Sequence, residues 1–205
     1  MWNRSEERTR PLIHEGAITA ATPAEAELDS DAVISMLLDD TAYDEGLFGD
    51  HRLVDVFSPG VLHILCGTIS MAFGARLTLE HANRGIDFVG AQVSGRVSDA
   101  EDGRLWIIAA GADQAVNRAR PLLEAFSRGI TVVGKEPQQA YATLAYIGTG
   151  SPTESGAPLR AGSEAVSTGR QEGSRNRLPG GTMSLGGLNN NLLIINELCQ
   201  ANEGR

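Results

Sequence analysis

Hydrophobic positions along the chain fall into short runs, and polar segments with helical spacing separate these runs. The apolar runs cover residues 32–38, 61–66, 88–93, 105–110 and 130–134. Segments with the spacing of helices follow at residues 41–48, 70–83, 112–128 and 137–147. Strands that alternate with helices in this way are typical of a sheet that carries helices on its faces. The pattern therefore predicts an α/β fold.

Local signals add detail to several of these helices. Gly16 is expected to end a first helical segment, and Thr22 followed by Pro23 predicts an N-cap and a first helical position. Pro121 is expected to bend or restart the helix at 112–128. In the helix at 70–83, four small or apolar residues share one predicted face, Ala72, Ala75, Leu79 and Ala82.

The last quarter of the chain has a different composition. Glycine, serine and proline make up 14 of the 31 residues at 151–181, and aromatic residues are absent there. Such a segment cannot bury enough apolar surface to order itself, so a flexible linker is predicted. Residues 188–201 are interpreted as a final helix with Leu192, Ile195 and Cys199 on one face.

Charge and cysteine content narrow the classes of protein. The formal net charge of -9 argues against a nucleic-acid or anionic-membrane partner. Cys66 and Cys199 are the only cysteines, and their apolar neighbours suggest neither a disulfide nor a metal site, which fits a reducing compartment. No signal peptide or membrane-spanning run is recognisable. These features predict a soluble, cytoplasmic protein.

A polar corner interrupts the apolar stretch at residues 88–111. The first strand of this stretch stops at Ser94 and Gly95, and a second strand returns after a polar turn. A strand that ends at a Ser-Gly corner offers a hydroxyl group and backbone N–H donors that suit a carboxylate. The corner is thus either an ordinary turn or a substrate-binding one.

Five short motifs resemble one enzyme family in order and near spacing. They are Trp2-Asn3-Arg4-Ser5, Ser35-Met36-Leu37-Leu38-Asp39-Asp40, Gly67-Thr68-Ile69-Ser70, Val93-Ser94-Gly95 with Ala100 and Gly103-x-Leu105, and Gly134-x-Glu136-Pro137. Together they resemble the β-hydroxyacid dehydrogenases, which include 3-hydroxyisobutyrate dehydrogenase and the nucleotide-binding domain of 6-phosphogluconate dehydrogenase. The resemblance spans residues 2–144, with a weaker echo at 188–203.

The resemblance implies roles for residues that match the motifs. It places Asn3, Arg4 and Ser5 at the 2′-phosphate of NADP, where an arginine fork suits a phosphate, although a solvated arginine is the plain alternative. It places the backbone at Leu37 and Leu38 against the cofactor, with ordinary core packing as the alternative. The remaining assignments are Thr68 beside the nicotinamide ribose, and Ser94, Gly95, Asn190 and Asn191 at the substrate.

The sequence also departs from the family pattern. Its first residues match the end of the family's second strand, so the first strand and its G-x-G-x-x-G phosphate loop are absent, as in a chain truncated at its N-terminus. The expected fold is an incomplete Rossmann-type, doubly wound parallel sheet with unpaired edges, followed by a partial α-helical segment. Its expected divisions are a partial NADP-binding domain at 1–134, the start of an interdomain helix at 135–150, the linker at 151–181 and a helical remnant at 182–205.

A second departure concerns the family's catalytic lysine. The positions that match it are Leu144 or Gly187, depending on the register, and neither side chain can transfer a proton. Lys135 follows a predicted strand at a position that the family does not use for catalysis. Three smaller departures lie near the other motifs: Gly67 replaces a usual Ser, Gly90 a usual Asp or Ala, and Gln92 a usual Pro.

Two functions are consistent with these features. The first is an NADP-dependent oxidoreductase, related to enzymes that transfer hydride between NADP(H) and a small hydroxy acid or semialdehyde, with weak or no activity of its own. The second is a non-catalytic binding or dimerisation module that forms homo-oligomers or associates with an intact relative through its last helix.

The four histidines show no metal-ligand spacing and are expected to be structural or at the surface. The pair Asp39-Asp40 is expected to be a solvated loop end.

Overall fold

The computed structural model describes residues 1–14, 16–28, 30–49 and 53–142, and the backbone of residues 192–196. The strands are β1 Ala32–Met36, β2 Leu62–Leu65, β3 Asp87–Ser94, β4 Leu105–Gly111, β5 Ser127–Gly134 and β6 Leu192–Asn196. A 3-10 helix at Glu6–Thr9 precedes the α-helices, which are α1 Arg10–His14, α2 Pro23–Glu27, α3 Asp40–Phe48, α4 Leu53–Val56, α5 Met71–Arg84, α6 Val97–Glu101 and α7 Asp113–Glu124. A further helical segment begins at residue 139.

The strands form one sheet in the order β5-β4-β3-β2-β1-β6. Strands β6, β1, β2 and β3 are parallel, β4 is antiparallel to β3, and β5 is parallel to β4. The predicted Rossmann-type α/β fold is confirmed. Because of this topology, the carboxyl ends of β1, β2 and β3 lie at one edge of the sheet, which we call the carboxyl edge. The carboxyl ends of β4 and β5 lie at the opposite edge.

The C-terminal strand β6 corrects the prediction of a final helix at 188–201. Residues 192–196 run parallel to β1, with Ile194 opposite Ile34 in the register. A short apolar run cannot be assigned to helix or strand by periodicity alone, and this one pairs with the edge of β1 that was expected to stay open. The rest of the segments at 151–181 and 182–205 lies outside the described residues.

The first residue of the chain is hydrogen-bonded to the segment at 18–20. The N-terminal amine of Met1 donates to the carbonyl of Ile18 at 2.5 Å, and the amide of Ala20 donates to the carbonyl of Met1 at 2.9 Å. This hydrogen-bond pattern is that of two parallel strands. The side chain of the next residue, Trp2, packs against the core.

Two hydrophobic clusters cover the two faces of the sheet. Val33 and Leu65 belong to the cluster under α3 and α5, whereas Ile34 and Ile64 belong to the one under α7. The buried face of α5 is not the predicted one: Leu79 is 68% exposed, and the residues that pack inward are Phe73, Gly74, Leu77 and His81. The larger side chains bury more apolar area than the alanines would, so they determine the orientation of the helix.

Helix α7 buries Ala115, Ala119 and Leu122 against the sheet. The helix runs through Pro121 without the expected restart. The cap at Thr22 is also confirmed, since its hydroxyl oxygen accepts from the amide of Glu25 at 3.1 Å and Pro23 begins the helix.

Candidate functional site

The carboxyl edge brings three of the predicted motifs together. Leu37 follows β1, Thr68 lies just beyond β2, and Ser94 is the last residue of β3. Since these strands are adjacent and parallel, the loops that follow them are neighbours at one edge. Thr68 and Ser94 are exposed there, and the side chain of Leu38 is 68% exposed.

Tyr43 joins the loop that follows β1 to the loop that follows β2. Its hydroxyl oxygen accepts from the amide of Leu37 at 3.1 Å and from the amide of Gly67 at 3.2 Å, and the hydroxyl donates to the carbonyl of Ser35 at 3.1 Å. The side chain is fully buried, and burial raises the pKa of the phenol. One hydroxyl group therefore fixes the backbone after β1 against the backbone after β2.

The same contact explains why glycine occupies position 67. A Cβ atom built on Gly67 would lie 2.5 Å from the hydroxyl oxygen of Tyr43 and 2.6 Å from the carbonyl oxygen of Leu37. The serine that the family usually carries here would therefore collide with Tyr43. Gly90 has an equivalent explanation, because its Cβ would lie 2.3 Å from the carbonyl oxygen of Pro137.

Asp39 and Asp40 lie at the surface, where Asp39 is exposed as expected, and their carboxylates also fasten the loop after β1. The carboxylate of Asp39 accepts from the amide of Ala42 at 2.9 Å and caps α3. The carboxylate of Asp40 accepts from the amide of Ser70 at 2.8 Å and from its hydroxyl at 2.5 Å. Ser70 in turn caps α5. The two loops are thus joined at the surface as well as by Tyr43.

The corner at Ser94 and Gly95 leads from β3 into α6. Gly95 has a φ of +147°, and a Cβ there would lie 2.6 Å from Cδ2 of Leu105, so glycine is favoured at this position. The backbone amide of Arg96 donates to a carboxylate oxygen of Asp99 at 2.9 Å, which starts the helix. The predicted corner is therefore present, with the Ser94 side chain exposed at the carboxyl edge.

Gln92 connects this strand to the loop that follows β2. Its amide nitrogen Nε2 donates to Oγ1 of Thr68 at 3.0 Å, although the two residues are 24 positions apart. Gln92 is 2% exposed, and its carbonyl oxygen Oε1 has no hydrogen-bond partner among the described residues. The predicted cofactor residue Thr68 and the predicted substrate strand β3 are thus in direct contact.

The corner of Asn3, Arg4 and Ser5 lies at the start of the chain. The side-chain oxygen of Asn3 accepts from the amide of Ser5 at 2.8 Å, which fixes the turn, and the Arg4 side chain is exposed. Trp2, directly before the corner, lines a small hollow with Leu37 and Tyr43. The corner is therefore close to the end of β1 that carries the second cofactor motif.

The structure separates Lys135 from this site. It is the single lysine in the 205-residue sequence, and its ammonium group pairs with Asp113 at 2.9 Å. Because β5 is antiparallel to β3, Lys135 lies at the opposite edge of the sheet from Ser94. Leu144, Gly187, Asn190 and Asn191 lie outside the described residues. In the described part of the chain, no three His, Cys, Asp or Glu side chains are grouped to hold a metal ion.

Two histidines form a buried hydrogen-bonded chain in the core. Nδ1 of His81 is 2.7 Å from the carbonyl oxygen of Leu77, which can only accept, so this nitrogen carries the proton. Nδ1 of His63 then donates to Nε2 of His81 at 2.7 Å, and the Ser35 hydroxyl donates to Nε2 of His63 at 2.7 Å. Burial lowers the pKa of His81 to about 4 and that of His63 well below its usual value.

The histidine chain bears out the structural role expected for His63 and His81. His14 is exposed, and His51 lies outside the described residues. Cys66 is buried without a disulfide, and burial raises the pKa of its thiol to about 12.

Sequence reasoning did not assign a role to Tyr43 or Gln92. The sequence indicated these contacts only indirectly. Gly67 and Gln92 replace the usual Ser and Pro of the family, and nothing nearby in the sequence explains either replacement. The partner in each case lies 24 positions away along the chain. Neither distance is readable from local spacing.

A mainly parallel sheet whose carboxyl edge carries these loops is the arrangement of a dinucleotide-binding oxidoreductase domain. The family model for the NAD binding domain of 6-phosphogluconate dehydrogenase matches residues 1–134. The chain therefore belongs to this family, within the β-hydroxyacid dehydrogenases. In the described residues, no helix is long and apolar enough to cross a membrane.

Individual proteins agree with this assignment. The chain is 38% identical over 142 residues to the uncharacterized oxidoreductase YfjR of Bacillus subtilis, covering 69% of this chain and 50% of that protein. It is 33% identical over 126 residues to the NAD-dependent L-serine dehydrogenase of Pseudomonas aeruginosa, covering 61% and 42%. The crystal structure of 3-hydroxyisobutyrate dehydrogenase from Salmonella typhimurium has the same fold, with a TM-score of 0.67, 21% identity and coverage of 71% and 52%. The chain spans about half the length of the curated relatives it matches.

Proposed function

We propose that the chain is the NADP(H)-binding part of a cytoplasmic hydroxyacid dehydrogenase, which transfers hydride between NADP(H) and a small hydroxy acid or its semialdehyde. The observation that carries this proposal is the arrangement of the carboxyl edge. Thr68 follows β2 and Ser94 ends the adjacent parallel strand β3, and both residues are exposed there. Thr68 would contact the nicotinamide end of the cofactor. Ser94 and Gly95 would hold the substrate carboxylate, together with Asn190 and Asn191 of the C-terminal segment.

The described residues fit the two ends of the cofactor. The amide of Leu37 is already bonded to Tyr43, so the backbone contact proposed for this strand end falls on the residues from Leu38 onward. Arg4 and Ser5, next to the Asn3 turn, would bind the 2′-phosphate. A guanidinium group makes paired hydrogen bonds to a phosphate, and this supports NADP over NAD.

Two further parts of the family's site concern the pyrophosphate of the cofactor and the proton donor. The 205 residues contain no G-x-G-x-x-G run, whose backbone N–H groups bind the pyrophosphate in a Rossmann-type domain. Among the described residues, the lysine Lys135 lies at the opposite edge and cannot serve as the proton donor at the carboxyl edge. Loss of a general acid costs about 10² to 10⁴ in rate. We therefore expect this chain alone to bind NADPH and to turn over slowly.

Calorimetric titration with NADPH and with NADH tests the cofactor assignment. We expect NADPH to bind more tightly than NADH, and Arg4→Ala to weaken NADPH binding about tenfold while leaving NADH unchanged. Arg10→Ala is the matched control, because Arg10 is also exposed near the N-terminus but lies outside the corner. Equal affinities of the unaltered chain for the two cofactors would refute NADP specificity, and no binding of either cofactor would refute the proposed function.

A turnover assay tests the activity. We expect NADPH oxidation with glyoxylate or succinic semialdehyde to be well below about 1 per second. A rate in the ordinary enzymatic range would contradict the low activity and would require a proton donor other than those considered.

The alternative proposal is a non-catalytic binding or dimerisation module. It depended on a final helix and on an unpaired edge beside β1. Residues 192–196 form a strand on that edge, so neither feature supports it in the described structure.

A further inference from the structure

We propose that Gln92 is a positioning residue for the nicotinamide end of NADP(H): it holds the Thr68 hydroxyl so that this group donates its hydrogen bond to the bound cofactor. The inference rests on the proposed function. Gln92 itself is 2% exposed and would act through Thr68.

The first step is the position of the side chain. Gln92 lies on β3, and Nε2 reaches across to Oγ1 of Thr68 at 3.0 Å in the loop beyond β2. Side chains two residues apart on a strand point to the same face, so Gln92 and Ser94 lie on one side of β3. Gln92 therefore lies between the residue proposed for the substrate and the residue proposed for the cofactor.

The second step is the direction of the hydrogen bond. The terminal atom of Gln92 that contacts Thr68 also lies 3.4 Å from the carbonyl oxygen of Val93. A carbonyl oxygen can only accept, so this atom is the amide nitrogen and not Oε1. The oxygen of Thr68 is then the acceptor, and its own proton is free to point elsewhere. Because Thr68 is exposed at the carboxyl edge, that proton is available to a ligand.

The third step is the cost of keeping a polar side chain here. Oε1 of Gln92 is buried and has no partner among the described residues. An unsatisfied buried acceptor destabilises the folded state, and an apolar side chain of similar volume would avoid this cost. A purely structural position would thus be filled better by methionine. The hydrogen bond from Nε2 to Thr68 is therefore the feature that distinguishes glutamine from methionine at this position.

A double-mutant cycle measures this role. The variants are Gln92→Met, Thr68→Val and the combination of both, and NADPH dissociation constants are measured for each. We expect each single variant to weaken NADPH binding about fivefold, the equivalent of one hydrogen bond. The double variant should be no weaker than either single one, because both substitutions remove the same ligand contact.

The chain supplies a matched control elsewhere. Oε1 of Gln138 accepts from the hydroxyl of Thr78 at 3.0 Å. This pair therefore has the same two residue types, with the same distance between the hydrogen-bonded atoms, as Gln92 and Thr68. Thr78 lies about two turns along α5 from the carboxyl edge. We expect Gln138→Met to leave the NADPH dissociation constant unchanged. An effect equal to that of Gln92→Met would mean that lost packing, and not positioning, accounts for both.

The outcomes separate this inference from the proposed function. Unaltered NADPH affinity in Gln92→Met, or additive losses in the double variant, would overturn the role of Gln92 while the cofactor assignment stands. Failure of the unaltered chain to bind NADPH would overturn the proposed function and this role with it. Should Gln92→Met not fold, NMR of Thr68→Val still tests the contact: the Gln92 side-chain amide protons must shift, and unchanged resonances would refute the bond.

Discussion

Replacing Tyr43 with phenylalanine should destabilise the protein more than the loss of a single buried hydroxyl normally does. The change keeps the ring and removes the oxygen that bonds the amides of Leu37 and Gly67. The carbonyl of Ser35 keeps a donor, because the amide of Cys66 also bonds it at 2.8 Å. Two buried N–H groups would lose their acceptor, at about 1–3 kcal/mol each, so we expect a loss of about 2–6 kcal/mol in the free energy of unfolding.

Urea unfolding followed by circular dichroism measures this loss. Tyr141→Phe is the matched control, since Tyr141 is also buried and its hydroxyl makes one bond, to the carbonyl of Leu65 at 3.2 Å. We expect the control to cost about 1 kcal/mol. If Tyr43→Phe costs no more than Tyr141→Phe, the two loops do not depend on this hydroxyl, and the structural basis given for the carboxyl edge is wrong.

Three further predictions concern other parts of the chain. Because burial lowers the pKa of His81 to about 4 from 6.5, the unfolded state takes up a proton first as pH falls. The free energy of unfolding should be at its full value above about pH 6.5 and lower by about 2 kcal/mol at pH 5. His63 should add a further loss. Urea midpoints that are equal at pH 7.5 and pH 5 would contradict this. Gly95→Ala should cost about 1–2 kcal/mol in thermal unfolding, because of the positive φ and the contact with Leu105; an unchanged melting temperature would refute the strain. Lys135→Met should leave both NADPH affinity and residual turnover unchanged, and a fall in turnover of about 10²-fold would identify Lys135 as the missing acid.

The order of strands and helices was readable from the sequence because apolar runs and caps are local signals. The run at Ala32 to Met36, the cap at Thr22 and the corner at Ser94 were each predicted within a residue or two. Burial of one helix face was predicted less well. On α5, two faces carry apolar residues at helical spacing, and the face with Phe73 and Leu77 is the one that packs inward.

The contacts that assemble the site were not readable, because they join residues far apart in sequence. Nothing near Tyr43 indicates that its hydroxyl will meet the amide of Gly67, and nothing near Gln92 indicates a bond to Thr68. The strand at Leu192–Asn196 was mistaken for a helix for a similar reason. Its conformation depends on an open edge of β1, which is a property of the folded sheet and not of the segment itself.

Two-dimensional NMR during a titration with NADPH shows whether the carboxyl edge of β1, β2 and β3 is the cofactor site. We expect NADPH to shift the backbone amide signals of Leu38, Thr68 and the Arg4 corner, and to leave those of Lys135 and its neighbours at the opposite edge unchanged. Shifts confined to the region of Lys135, or no shifts at saturating NADPH, would contradict the claim.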